Sequence, residues 1–230
     1  MHTAASPHPS DLALPDTELA RSALDFSARH TEPFIVRHAV RGYLYGRKLG
    51  EHRGLEPNVD YDDELLFSAC VLHDIGLADE ANGSQRFEVD GADFAARFLR
   101  EHGLPDDDVE IVWDAIALHT TDTIPQRKRP EIALCQAGVA VDILGHGREL
   151  LPEGFAARVH AAYPRDNLAF ALTDAIVAQA VPDPAKANPL SFPGALVRHH
   201  LPPGSVPEWH DLIANNGWGD AAPDQGPPGP

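Results

Sequence analysis

The sequence predicts an all-α fold, and three observations carry that prediction. Apolar residues recur at three- and four-residue spacing in one segment after another, and helix-opening and helix-closing residues bracket those segments. No internal repeat or convincing two-strand hairpin interrupts them. The first helix runs from Thr17, a capping residue, to Arg29, with Leu19, Ala20, Ala23, Leu24 and Phe26 on its apolar side. Pro33 opens a second helix that runs to about Leu49 and stops at Gly50. Asp62-Asp63-Glu64 puts negative charge at the start of a third, where the helix dipole favours it, and that helix runs to His73-Asp74 before Gly76.

A fourth helix spans about Asp90 to Glu101, with Asp90 as its N-cap and Gly103 as its stop. The fifth spans Pro105 to His119, with Asp106, Asp107 and Asp108 in its first turn. Pro130 opens a sixth, which carries Asp142 and ends near Gly145. Leu150 to Ala161 reads as a seventh, and Asn167 to Ala180 as an eighth, with Leu168, Phe170, Ala171, Ile176 and Val177 at helical spacing. The expected organisation is a flexible segment over 1–16, a helical bundle over 17–201, and a partly packed Pro/Gly-rich tail over 202–230. In that tail, Trp209 and the segment around it fold back over the bundle or meet a second subunit, so self-association is an open alternative.

Charge narrows the partners. With 18 Lys and Arg against 35 Asp and Glu among 230 residues, the net charge of −17 disfavours nucleic acid and anionic membrane surfaces, which are bound chiefly by cationic side chains. A small-molecule substrate is the expected partner. No stretch approaches the roughly 20 apolar residues of a membrane span, and the first residues lack the apolar core of a signal peptide, so the cytoplasm is the expected location. Cys70 and Cys135 sit in apolar helical patterns and read as reduced core thiols.

The chemistry lies in polar residues placed where apolar ones belong. Asp142 interrupts the run Ile132 to Leu144; His38 sits in Phe34-Ile-Val-Arg-His38-Ala-Val40; His73-Asp74 ends the run from Leu65; His119 ends Val112-Trp-Asp-Ala-Ile-Ala-Leu-His119. Burying an unpaired carboxylate costs several kcal/mol, and a divalent cation compensates it. These residues therefore read as a metal site. Placement carries the inference, because a second His-Asp pair, His210-Asp211, stands in the tail without any such context. Nitrogen and oxygen donors of this kind suit zinc first, with iron, manganese or nickel as alternatives.

The order His38 … His73-Asp74 … Asp142 resembles the HD-domain superfamily of metal-dependent hydrolases, whose ligands are a His, an adjacent His-Asp pair and a distant Asp. Several stretches are similar to the cyanamide hydratase type: His38-Ala-Val-Arg41-Gly-Tyr-Leu-Tyr45-Gly46, Leu72-His-Asp-Ile-Gly-Leu77, Arg86-Phe-Glu-Val-Asp90, and Trp113-Asp-Ala-Ile-Ala-Leu-His119-Thr120. The similarity runs from about Thr17 to Asn216. The resemblance implies an HD-domain bundle holding one divalent ion through His38, His73, Asp74 and Asp142, and addition of activated water to a small nitrile such as cyanamide, giving urea. In that scheme Asp74 moves the proton from water to nitrogen, and His119 hydrogen-bonds the substrate or the developing charge.

Two other readings compete. The first is a metal-dependent phosphohydrolase acting on nucleotides or other phosphomonoesters, which is weakened because Leu77 stands where HD nucleotidases carry a catalytic Glu, although Asp79 and Glu80 lie nearby. The second is a metal-holding binding module without turnover. Arg41 and Tyr45 share a helix face with His38, so Arg41 contacts either a carboxylate near the ion, the substrate, or a surface partner. Glu88 either orients a ligand histidine or pairs with Arg86, and Thr120 either lines the mouth of the site or ends its helix.

Overall fold

Local chemistry sets the helix ends in the computed structural model, which describes residues 9–214 and 217–218. Thr17 accepts the Ala20 amide at the start of α1 (Glu18–His30), and Pro33 occupies the first turn of α2 (Pro33–His52). Asp62 accepts the amides of Glu64 and Leu65 ahead of α3 (Asp63–Leu72). There follow α4 (Phe87–Glu101), α5 (Asp106–Leu118), α6 (Pro130–Leu144), α7 (Phe155–Ala162), α8 (Leu168–Ala180), α9 (Phe192–His200) and α10 (Trp209–Ala214). Among the described residues the secondary structure is helical throughout apart from an isolated bridge between Pro57 and Tyr61, and no helix is long and apolar enough to cross a membrane.

The all-α expectation therefore holds, and the eight expected helices are α1 to α8. Differences fall at their ends. Helix α2 continues past Gly50 to His52. Helix α4 begins at Phe87, so Asp90 lies inside its first turn and is not its cap. The Asp90 carboxylate instead accepts from Lys186 Nζ at 2.6 Å and from the Gln85 amide. Helix α7 starts at Phe155 because Pro152 and the left-handed Gly154 delay it. Helices α9 and α10 were not expected; α9 is opened by Ser191, which accepts the Gly194 amide, with Pro193 in its first turn.

The described part of the N-terminal segment packs on the bundle, with Leu12 and Leu14 against the main core and Asp11 facing Lys48 and Arg158. Residues 1–8 lie outside the described residues. In the tail, Val206 packs against the α8–α9 cluster and Glu208 pairs with Arg198, whereas Trp209 is exposed.

Helix α3 is buried on every side from Leu65 to Leu72, as an apolar helix without a polar face must be, and packs against α1, α2, α5 and α6. Helices α2 and α6 cross at glycines: a Cβ on Gly138 would stand 2.0 Å from the Gly42 carbonyl oxygen, and one on Gly46 2.6 Å from the Leu134 carbonyl oxygen. That close approach brings His38 of α2 beside Asp142 of α6. Helices α8 and α9 form a smaller layer, in which Leu168, Leu172 and Ile176 pack with Phe87 of α4, and the buried pair Lys186–Asp90 ties this layer to the main bundle. Gly138→Ala should separate α2 from α6 and lower the unfolding free energy in urea by about 1–3 kcal/mol.

Candidate metal centre

Three histidines turn the same nitrogen inward, and each is held by a different outer partner. His73 caps α3 and lies with Nδ1 2.7 Å from the Cys70 carbonyl; His119 caps α5 with Nδ1 2.6 Å from the Ile116 carbonyl. Both use an acceptor three residues back, a carbonyl in the last turn of the helix that each residue ends. His38 Nδ1 lies 2.7 Å from Asp142 Oδ2. A carbonyl or an ionised carboxylate can only accept, so all three rings carry their proton on Nδ1 when neutral and direct the Nε2 lone pair inward.

Those lone pairs converge on Asp74. His73 Nε2 lies 3.1 Å from Asp74 Oδ2 and 3.1 Å from His38 Nε2, while His38 Nε2 and His119 Nε2 lie 3.8 and 3.5 Å from the Asp74 oxygens. Asp74 is buried, and neither of its oxygens accepts a well-formed hydrogen bond. A cluster of inward lone pairs and an unpartnered carboxylate repels itself unless positive charge sits at its centre. Donor atoms of His38, His73 and Asp74 all lie within 4.8 Å of one another, and imidazole with carboxylate is a donor set that divalent transition ions accept. The residues present therefore fit a divalent cation.

Titration follows the same logic. Burial would lower the His73 pKa, but the adjacent Asp74 charge overcomes it and raises it to about 9, so a proton on His73 Nε2 supplies the positive charge wherever a cation does not. Burial raises and His73 and His119 lower the Asp74 pKa, with the net result well below the ordinary carboxylate value. For His38 burial prevails and the pKa falls, the Asp142 hydrogen bond opposing it only in part.

The structure does not bring Asp142 to the inward-facing atoms, contrary to its expected place in the ligand set. Its oxygens are already taken. Arg41, wholly buried, reaches Asp142 through Nε at 3.0 Å and Nη2 at 2.8 Å, and Arg165 donates to Oδ1 at 2.7 Å. The remaining Arg41 nitrogen, Nη1, donates to the carbonyls of Tyr163 and Pro164. Against the desolvation that raises it, His38 and Arg41 hold the Asp142 pKa below the ordinary value. Asp142 thus fixes the tautomer and direction of His38 from behind, as a carboxylate behind a metal-binding imidazole does. Arg41 fixes Asp142 and does not line the cavity over the donors.

Sequence reasoning left Arg165 and His160 unassigned. Arg165 lies in the loop before α8 with no local signal, and His160 Nε2 lies 2.9 Å from the Tyr45 hydroxyl, near Asp142. Glu88 is buried and is paired with Arg86 and Thr120, so it orients none of the histidines. Thr120 does border the cavity over the donors, while Asp79 and Glu80 are exposed and lie away from it.

That cavity measures about 280 Å³. His38, His73, Asp74 and His119 form its floor; Thr120, Asp122, Gln136 and His146 supply polar groups; the remaining lining is apolar and holds no Lys or Arg.

An all-helical bundle presenting a His from one helix and a His-Asp pair at the end of another defines the HD class, and the HD domain family model matches residues 35–149. The chain belongs to this family of metal-dependent hydrolytic enzymes. Two proteins of Saccharomyces cerevisiae (strain ATCC 204508 / S288c), cyanamide hydratase DDI2 and cyanamide hydratase DDI3, are each 23% identical to it over 154 residues, covering 66% of this chain and 68% of theirs.

Two outcomes test the buried charge cluster. Arg41→Met breaks a fully buried pair and should cost about 3–5 kcal/mol in urea unfolding. Because the folded-state pKa of Asp142 is depressed, its contribution to stability is complete above its unfolded value of about 3.9 and is lost as pH falls towards the folded one. The acid limb of a stability–pH curve should accordingly be shallower in Asp142→Asn than in the parent chain.

Proposed function

We propose that the chain is a hydratase that adds water to a small neutral nitrile-type molecule of the cyanamide kind, with His38, His73 and Asp74 holding one divalent ion. The observation that carries this reading is the set of inward Nε2 lone pairs around an unpartnered Asp74, at the floor of a cavity without Lys or Arg. Similarity to two proteins named cyanamide hydratase supports the same substrate class. The phosphomonoester reading has no observation in its favour, since a dianionic group finds no guanidinium or ammonium in the cavity and Arg86 is engaged by Glu88 and Thr120.

A bound divalent ion supplies Lewis acidity, drawing the pKa of water towards neutrality and polarising the nitrile. Zinc is our first choice. The protein does the rest by positioning. Asp74 stays anionic beside His73 and His119, which suits a ligand better than a base. His119 differs from the substrate donor expected earlier, because its Nδ1 proton is committed to Ile116 and its Nε2 toward the cavity can only accept while the ring is neutral. It can take a proton from the water that adds and return it to the substrate nitrogen.

Purified chain loaded with zinc should bind one ion per chain by elemental analysis and convert cyanamide to urea. Chelation should abolish that turnover and re-addition should restore it. His119→Ala should keep the ion and lose about 10²–10⁴-fold in kcat; if the ion is lost instead, His119 is a ligand and the relay is misassigned. Urea-free phosphate release from a phosphomonoester would reverse the reading.

A further inference from the structure

The cavity is too large and too greasy for cyanamide alone. At about 280 Å³ it could hold about nine waters at roughly 30 Å³ each, well beyond a molecule of a few heavy atoms. Its apolar side is built by Phe87 of α4, Ile143 of α6, Leu172 and Ile176 of α8, and Phe192 at the start of α9. Leu172, Ile176 and Phe87 are buried and pack on one another, so this wall is continuous. Leu172, Ile176 and Phe192 lie beyond residues 35–149, which match the HD domain, so segments outside the matched domain complete a wall that Phe87 and Ile143 begin. A substrate that left the wall wetted would forgo the main source of affinity this cavity offers.

We propose, building on the hydration reading above, that the preferred substrate is a neutral nitrile or N-substituted cyanamide bearing a hydrocarbon group of roughly four to six carbons. The C≡N group faces His119 and the donor cluster, and the hydrocarbon lies along Leu172, Ile176 and Phe192. The reaction balances without any co-reactant: the oxygen of one water bonds to the nitrile carbon, both water protons finish on the terminal nitrogen, and the triple bond becomes a carboxamide. An N-substituted cyanamide gives an N-substituted urea. Nothing is oxidised, reduced or released.

The test uses the full zinc-loaded chain with cyanamide and its N-methyl, N-butyl and N-benzyl derivatives, the urea products being quantified by nuclear magnetic resonance. Values of kcat/KM should rise about fourfold per buried methylene, and at least tenfold from cyanamide to the butyl compound. As a readout independent of turnover, binding of alkylureas by calorimetry should strengthen with chain length in the same order. Ile176→Phe, which narrows the cavity, and Phe192→Ala, which opens its half-exposed rim without threatening the core, should each lower the butyl-to-cyanamide ratio of kcat/KM several-fold. A flat or falling series with cyanamide preferred overturns this substrate assignment and leaves hydration standing. Length-dependent alkylurea binding without turnover of any member supports the cavity assignment and sinks hydration. The absence of both turnover and length-dependent binding overturns the substrate assignment.

Discussion

The site depends on one buried carboxylate. Asp142 sits in an apolar helix where its charge would be intolerable alone, and two guanidinium groups and an imidazole N–H divide its two oxygens among them. Through this arrangement, charge from α2 and from the loop before α8 is converted into the orientation of a single ring. His38 has no freedom left: its Nδ1 proton points at Asp142, and its Nε2 lone pair points at His73 and Asp74. The glycine crossing of α2 and α6 makes this geometry possible, since side chains at Gly46 or Gly138 would hold His38 and Asp142 apart.

The other two histidines reach the same state by a cheaper local route. His73 and His119 each end a helix and return their Nδ1 proton to the carbonyl three residues back. One interaction thereby fixes a tautomer and aims a lone pair. The centre is thus assembled from two locally determined rings and one that depends on contacts across the whole bundle, with Asp74 carried by the chain immediately after His73.

How much of this was readable in sequence follows from the range of each signal. The eight helices were legible because capping residues, prolines and apolar spacing act within a few residues, and the donor cluster was legible because His38, His73, Asp74 and His119 stand where core residues belong. Asp142 was found for the same reason, but its role was not, because the carboxylate's partners decide it and Arg165 lies 23 residues further along in a loop. Asp90 was read as a cap from its place before an apolar stripe, whereas its true partner, Lys186, is 96 residues away. Helix α9 escaped notice because it lies in a segment whose prolines mask helical spacing, and only tertiary packing brings Phe192 into the lining of the cavity that His119 also borders.

The buried Lys186–Asp90 pair has a consequence for how such a molecule can diversify. It fastens the α8–α9 layer through two side chains that are not among the donors, so the ceiling over the reactive floor is anchored without borrowing His38, His73 or Asp74. Catalytic machinery and substrate fit are therefore held by separate fixings. Drift or deliberate grafting in residues 168–200 can remodel which molecules enter, while the chemistry beneath keeps its geometry.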